Sequence, residues 1–207
     1  MNVYFIRHGQ SEGNKKQVHQ GEDVSLSEKG ISQAKAVAKR LKKHDISVIY
    51  SSPYLRAKQT SEIISKELDL TIEYWEELKE LRRPSELEGL EYSDPKATEI
   101  KEIIKKNQTA PDWKYSDDES FNDLITRAKE VEKHIFEHHK EQNMLCVSHI
   151  QIMVMIVMQT IMQDKLTPEV FWQFYYHCRQ KNTGITHLEH IDNFGWNLVT
   201  WNDTTHL

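Results

Sequence analysis

The stretch Val3-Tyr4-Phe5-Ile6-Arg7-His8-Gly9-Gln10-Ser11-Glu12-Gly13-Asn14 decides how the chain is read. Four β-prone apolar residues end abruptly in Arg-His-Gly and then in small polar residues. That is the pattern of a buried strand feeding a loop. The His8 imidazole therefore stands where the strand stops, with the permanent guanidinium of Arg7 beside it. Gly9 and Gly13 are expected to let backbone N–H groups approach a ligand closely. An imidazole so placed suits attack on a phosphoryl group whose oxygens are held by cations. The tripeptide alone describes a hydrogen-bonded structural histidine equally well.

Outward from this strand, further strand-like runs lie at 46–50, 71–75 and 143–147, with a C-terminal pair at 184–191 and 196–201. The pair flanks Asp192-Asn193-Phe194-Gly195, which reads as a hairpin loop. Helical periodicity fills the intervals. Ser27 caps a helix with the apolar stripe Ile31, Ala34, Ala38 and Leu41, closed by basic residues. A second helix carries Thr60, Ile63, Ile64 and Leu68, and a third opens at Asp94-Pro95. A long fourth runs from about 120 to 140 on Leu124, Ala128, Val131 and Ile135, followed by helices at 152–158 and 168–177. Alternating strands and helices indicate an α/β fold: a three-layer sandwich with a mostly parallel central sheet and helices on both faces. Residues 84–118, charged and punctuated by Pro84, Pro95 and Pro111, read as a partly helical, cap-like insertion over the active site in an otherwise single domain, 1–207.

At 207 residues, with 29% charged and 38% hydrophobic residues, the chain suits one sizeable soluble domain. A net charge of −5 argues against nucleic acid or an anionic membrane as partner. A cationic pocket has to be built locally, against the overall sign. The apolar run 152–158 is too short to span a bilayer, and its methionines suit a buried helix rather than a soft-metal site. Cys146 and Cys178 read as reduced core residues, and no signal peptide is visible, so a cytoplasmic location is expected. The strip Val170-Phe171-Trp172-Gln173-Phe174-Tyr175-Tyr176 suits the interior, with a subunit contact as the alternative, leaving monomer or homodimer open.

Four groups carry the chemistry: His8, Arg56, Glu80 and His149. Each lies a few residues past an expected strand end. Parallel strands place their carboxyl ends on one sheet edge, where open α/β folds bind ligands. Viewed singly, each has a bland reading: a solvated Arg56, a Glu80 on a charged loop with Glu77 and Glu86 as rivals, a buried structural His149. Joint placement favours the functional one. His134, His138 and His139 offer imidazoles one helical turn apart, but no flanking Cys or spaced carboxylate completes a metal site, so an exposed helix face is expected.

These blocks resemble the histidine phosphatase superfamily, also called the phosphoglycerate mutase-like family. Arg7-His8-Gly9 with Glu12 and Asn14 is similar to its signature, and Gln20-Gly21 followed by Leu26-Ser27-Glu28-Lys29-Gly30 to its next block. Ser51-Ser52-Pro53 with Arg56-Ala57 and Gln59-Thr60, Glu119-Ser120-Phe121, and Val147-Ser148-His149 follow in family order. The resemblance implies that His8 is a nucleophile forming a phosphohistidine. It implies that Arg7, Arg56 and His149 line a phosphate pocket, that Asn14 donates a further hydrogen bond, and that Glu80 protonates the leaving oxygen. It extends the substrate-binding set to Gln20, Gly21 and Ile150. No metal and no cofactor are implied, because protein cations hold the phosphoryl oxygens, each preorganised donor being worth roughly 3–4 kcal/mol of barrier.

The sequence departs from the family at Pro84, where a Gly is expected, at Ile150, where a Gly is usual, and at Ser25, where a Pro is common. Arg82 and Arg83 lie close to the proposed acid and read either as a reader of a second anionic group on the substrate or as a solvated pair. The function expected is a phosphatase acting on a small phosphorylated substrate. A cofactor-dependent phosphoglycerate mutase and a non-catalytic phospholigand-binding protein are the alternatives.

Overall fold

The computed structural model describes residues 1–139 and 142–207. Its strands are β1 (Asn2–Arg7), β2 (Val48–Ser51), β3 (Ile72–Tyr74), β4 (Asn143–Ser148), β5 (Ile185–Ile191) and β6 (Gly195–Asp203). Its α-helices are α1 (Glu12–Lys16), α2 (Glu28–Leu41), α3 (Leu55–Leu68), α4 (Pro95–Asn107), α5 (Phe121–His138), α6 (Ile150–Met162) and α7 (Pro168–His177). The strands form one sheet in the order β3-β2-β4-β1-β5-β6. The first four are mutually parallel, with Ile6 opposite Val147 and Ile49 opposite Leu145, whereas β5 and β6 run antiparallel. The sheet is therefore mixed, with a parallel core and an antiparallel edge.

The alternation of β1 and β4 splits the core into two layers. Val3, Phe5, Met144 and Cys146 pack with α5, α6 and α7 on one face. Tyr4, Ile6, Leu145 and Val147 pack with α2 and α3 on the other. Because both faces are covered, the central strands are apolar throughout rather than alternating with polar residues. α6 is buried along nearly its whole length, from Gln151 to Thr160, which is why it is apolar all round. No helix among the described residues is long and apolar enough to cross a membrane.

Helix starts follow their caps. Ser27 Oγ accepts from Gly30 N–H, Asp94 accepts from Lys96 and Ala97 N–H with Pro95 at the first helical position, and Ser120 and Asp123 cap α5 reciprocally. α5 ends at His138; Lys140, to which its periodicity reached, lies outside the described residues. β2 begins at Val48, two residues later than the apolar pattern suggests, because Asp45 sits in the left-handed region (φ 46°) and the chain is still turning. The strip on α7 packs inward: Phe171 and Trp172 are buried, and Phe174, Tyr175 and Tyr176 rest on the same core. Cys146 is buried and Cys178 only half-buried, both free thiols.

Of the three histidines at the end of α5, His138 is exposed as expected and the other two are not. His139 is buried and bonds the Tyr50 hydroxyl at 3.0 Å and Gln142, and His134 packs half-buried against Trp75 with ring centroids 4.7 Å apart. The rings fill the gap between β2 and the helix end.

Residues 84–118 bury an apolar cluster of their own, Leu87 with Ala97, Ile100 and Ile104 of α4, backed by Leu90, Trp113 and Tyr115. Backbone bonds tie the segment to the loop after α1: His19 N–H to Leu90 O (2.8 Å) and Tyr92 N–H to Gln17 O (2.8 Å). Trp172 Nε1–H donates to Gln108 O at 2.9 Å, joining α4 to α7.

Gly9 serves packing, not ligand approach. Its N–H is taken by Thr60 Oγ1 at 3.1 Å, and a Cβ on Gly9 would lie 2.5 Å from the Gly30 carbonyl oxygen. Gly30 is as tightly placed: its Cβ would lie 2.0 Å from Gln10 O, which is backbone and cannot swing away. Gly30→Ala should therefore lower stability by roughly 1–3 kcal/mol despite the better helix propensity of alanine. Urea unfolding of the purified variant checks this; an unchanged or raised midpoint contradicts it.

Candidate active site

Each proposed residue stands at the carboxyl edge of the parallel sheet. His8 follows β1 directly and His149 follows β4 directly; Arg56 enters the first turn of α3, five residues past β2, and Glu80 lies six past β3. His8, Arg7, Arg56, Glu80, Asn14, Gln20, Gly21 and Ile150 all line one cavity of about 830 Å³. His149, expected with them, is buried and is not among the lining residues; its ring centroid lies 5.1 Å from that of His8. Glu77 and Glu86, the rivals of Glu80, are not in the wall; Glu86 accepts from Ser116 Oγ at the outer surface.

The tautomer of His8 is set by its neighbour. Nδ1 lies 2.7 Å from the Gly9 carbonyl, which can only accept, so Nδ1 carries the proton and Nε2 keeps its lone pair. Burial, then Arg56, then Arg7 hold the His8 pKa well below its ordinary 6.5, so the ring is neutral. His149 is held down in the same way by burial, Arg56, His8 and Arg7. Ser52 Oγ accepts from Tyr54 N–H at 3.3 Å and lies 2.8 Å from His149 Nε2. When the hydroxyl donates to Nε2, Nδ1 of His149 carries the ring N–H; it is buried and without a protein partner.

The two guanidiniums are positioned by carbonyls. Arg7 donates to Gln180 O and Arg56 to Gly21 O, each at 2.8 Å. Neither makes an ion pair with a carboxylate among the described residues. Asn14 spends its Oδ1 on Ser11 N–H (3.3 Å) and Asn182 Nδ2–H (3.4 Å), which leaves its own NH₂ as a donor. Gln20 accepts from Ser11 Oγ at 2.5 Å and fills the space over Gly13, so its contact with a ligand is through the wall it helps to build. Glu80 is clamped at the start of α6: Oε1 accepts from Leu81, Gln151 and Ile152 N–H at 3.0, 3.0 and 3.3 Å. Oε2 is the oxygen left for chemistry. The arrangement offers a neutral nucleophilic nitrogen, forked cationic donors and a carboxyl group around one anion-sized space.

Several contributing residues carry no motif. Arg127 on α5 donates to the carbonyls of Glu77 (3.1 Å), Lys79 (2.6 Å) and Glu80 (3.5 Å) and pairs with Glu119 at 2.8 Å, fixing the loop that presents Glu80. Its signal was a lone arginine three residues past Leu124, close to the apolar stripe of its helix. Gln180 and Asn182 precede β5; Asn182 Nδ2–H donates to His8 O at 2.9 Å. Because β5 is antiparallel to β1, the loop before it lands on the edge where the parallel strands end. Arg82 and Arg83 diverge: Arg82 is exposed, whereas the Arg83 guanidinium carbon lies 5.7 Å from the Trp172 ring centre. Pro84 opens a short 3₁₀ turn, Ser85–Leu87, and lines the cavity without distorting it.

A profile described as "Histidine phosphatase superfamily (branch 1)" matches residues 3–204. The chain belongs to that superfamily. It is 26% identical over 210 residues to a phosphoglycerate mutase-like protein 4 of Arabidopsis thaliana, covering 99% of this chain and 86% of that one. Among solved structures, a phosphoserine phosphatase mutant from Entamoeba histolytica in complex with phosphoserine superposes with a TM-score of 0.81 at 24% identity, over 100% of this chain and 98% of that chain. A mycobacterial glucosyl-3-phosphoglycerate phosphatase complexed with VO₃ gives 0.83 at 22% identity, over 98% and 99%. These likenesses establish the α/β fold of the superfamily for this chain.

In this superfamily member the two neutral imidazoles leave a mark on stability. Their folded pKa values lie below the ordinary 6.5, so below about pH 6.5 the unfolded chain binds protons that the folded one refuses. Stability is complete above that pH and falls as pH drops. The urea midpoint should fall between pH 7.5 and pH 5, and the fall should be smaller in a His8→Asn/His149→Asn double variant. An equal fall in both proteins would assign the loss to other groups.

Proposed function

We propose that the chain hydrolyses phosphomonoesters through a phosphohistidine on His8, with Glu80 as proton donor. One observation carries this reading: a neutral imidazole, its Nδ1–H held by a carbonyl, shares the cavity with two guanidiniums that make no direct ion pair among the described residues, and with the Glu80 carboxyl that acts on both. In the first step Nε2 of His8 attacks phosphorus and the P–O ester bond breaks. Arg7, Arg56, Asn14 and the Nδ1–H of His149 hold the equatorial oxygens, and Glu80 Oε2 gives its proton to the leaving alkoxide. In the second, water attacks the same phosphorus, Glu80 takes back a proton, the P–N bond breaks and phosphate leaves. The Nδ1–H keeps donating to Gly9 O throughout, so His8 needs no rearrangement between steps.

The names of the structural relatives, phosphatases of small acids and sugars, point the same way. A phosphoglycerate mutase would begin with the same phosphohistidine and return the phosphoryl group to an organic acceptor, which requires that water be kept out. The reading takes a small phosphorylated compound as substrate, no cofactor and a cytoplasmic setting.

Purified protein should release phosphate from an aryl phosphate in excess EDTA, because guanidiniums rather than a metal carry the oxygens. His8→Ala should abolish both turnover and the acid-labile phosphoenzyme. Glu80→Gln should lower kcat about 10²–10⁴-fold while phosphate still binds. Turnover by His8→Ala removes the nucleophile assignment. Interconversion of 2- and 3-phosphoglycerate faster than phosphate release would favour the mutase.

A further inference from the structure

The cavity is larger than a phosphoryl group needs, and its wall away from His8 has a character of its own. It is made by the loop after Glu80, by α4 and by α7. Arg83, Lys101, Lys105 and Arg179 contribute to it, and none forms an ion pair with a carboxylate among the described residues. In a chain of net charge −5 this is a local concentration of positive charge.

The cations are held by rings instead. Arg83 lies 5.7 Å from the centre of Trp172, Arg179 lies 5.9 Å from Tyr175 and Lys105 lies 6.0 Å from Tyr176. Aromatic faces position a cation without cancelling its charge, so each remains available to an anion. Lys101 is fixed by donating to Tyr92 O at 2.6 Å. Two further groups locate the cluster. Burial, Lys101 and Arg83 lower the pKa of His19 to about 4, leaving a neutral ring whose Nε2 is buried and unpartnered in the wall. Tyr175 lies within electrostatic range of Arg83 and Arg179 on one side and of Glu80 and Arg7 on the other. It joins the cluster to the catalytic end. Of the three remaining wall acids, Glu22 lies near Lys79 (3.8 Å), Asp117 accepts from Ser85 N–H (2.9 Å), and Glu88 packs over Gly21.

We infer that the outer half of the cavity is a second anion subsite, built on Arg83, Arg179, Lys101 and Lys105. The substrate is then a phosphomonoester that carries a further carboxylate or phosphate. This inference rests on the phosphatase reading: the ester phosphate occupies the His8 end and the second anion the α4–α7 end. A substrate with a neutral tail would leave these cations unsatisfied and bind mainly by its phosphoryl group.

Two matched pairs test it. 3-Phosphoglycerate and glycerol 3-phosphate differ by a carboxylate; fructose 1,6-bisphosphate and fructose 6-phosphate differ by a phosphate. The charged member of at least one pair should be hydrolysed with about tenfold or higher kcat/KM, most of it in KM. The pair that shows it identifies the anion. In an Arg83→Gln/Arg179→Gln variant, which keeps the bulk beside the rings, that preference should fall about tenfold or more. No preference in either pair, or a preference that survives the double variant, overturns the subsite. Absence of phosphate release from all four compounds and from an aryl phosphate would be a failure of the phosphatase reading instead. Calorimetric Kd values for the same pairs on His8→Ala then still decide the subsite: equal affinities within both pairs refute it, and tighter binding of a charged member supports it.

Discussion

Arg7, half-buried, and Arg56, buried, make no direct ion pair among the described residues and feel Glu80 only through space, and that condition organises everything around them. Desolvation lowers both of their pKa values, the physical sign that each charge is held at a cost. A fold tolerates such groups only if their N–H donors are satisfied and their neighbours do not add charge. Carbonyls of Gln180 and Gly21 meet the first requirement in part, each taking one N–H, while the buried Nε of both guanidiniums has no protein partner among the described residues. The second falls on the imidazoles. Had His8 or His149 been protonated, three or four positive groups would share one desolvated space. Their depressed pKa values are the consequence of that crowding, and the neutral ring it enforces at His8 is the form a nucleophile must have. Electrostatic storage and chemical competence are the same arrangement.

The sheet makes this arrangement available. Four parallel strands deliver His8, Arg56, Glu80 and His149 to one edge from positions up to 141 residues apart (149 − 8). Parallel pairing requires crossovers, so each arriving residue is followed by a helix or turn that fixes it. Arg56 is set by the first turn of α3, and Glu80 by the first N–H groups of α6. A carboxyl oxygen that accepts three backbone N–H groups has little rotational freedom left, so Oε2 is aimed jointly by two N–H groups of the helix and by Leu81 of its own loop. Arg127 secures that loop from behind through its carbonyls, and Glu119 secures Arg127.

The parts of this that were readable in sequence share a cause. Apolar runs of β1 and β4, buried on both faces, announce themselves, and residues immediately after them inherit a position; hence His8 and His149. Arg56 and Glu80 could be placed because they follow strands within six residues. Caps at Ser27, Asp94 and Ser120 were legible because side-chain chemistry and the first helical turn are adjacent. What escaped is what depends on strand direction or on a contact between distant segments. Nothing in Gln180 or Asn182 shows that the loop before an antiparallel strand reaches the same edge. Gly9 was read as room for a ligand, and the room is filled by the carbonyl of Gly30, a partner that helix packing alone supplies. His134 and His139 were read as exposed because a sequence cannot show that Tyr50 of β2 lies beneath them.

The two ends of the cavity come from different sources. The phosphoryl end is built by strand termini, whose geometry is bound to the core of the molecule. The far end is built by residues 84–118, which have an apolar cluster of their own, and by the outward rims of α7, whose inner face alone belongs to the core. Changes to Arg83 or Lys105, which belong to neither core layer, therefore leave the packing beneath His8 untouched, whereas a single Cβ at Gly30 meets the backbone of the loop beside it. On the proposed reading, selection of the second anion resides in elements that can vary without disturbing the guanidiniums and imidazoles at the strand ends.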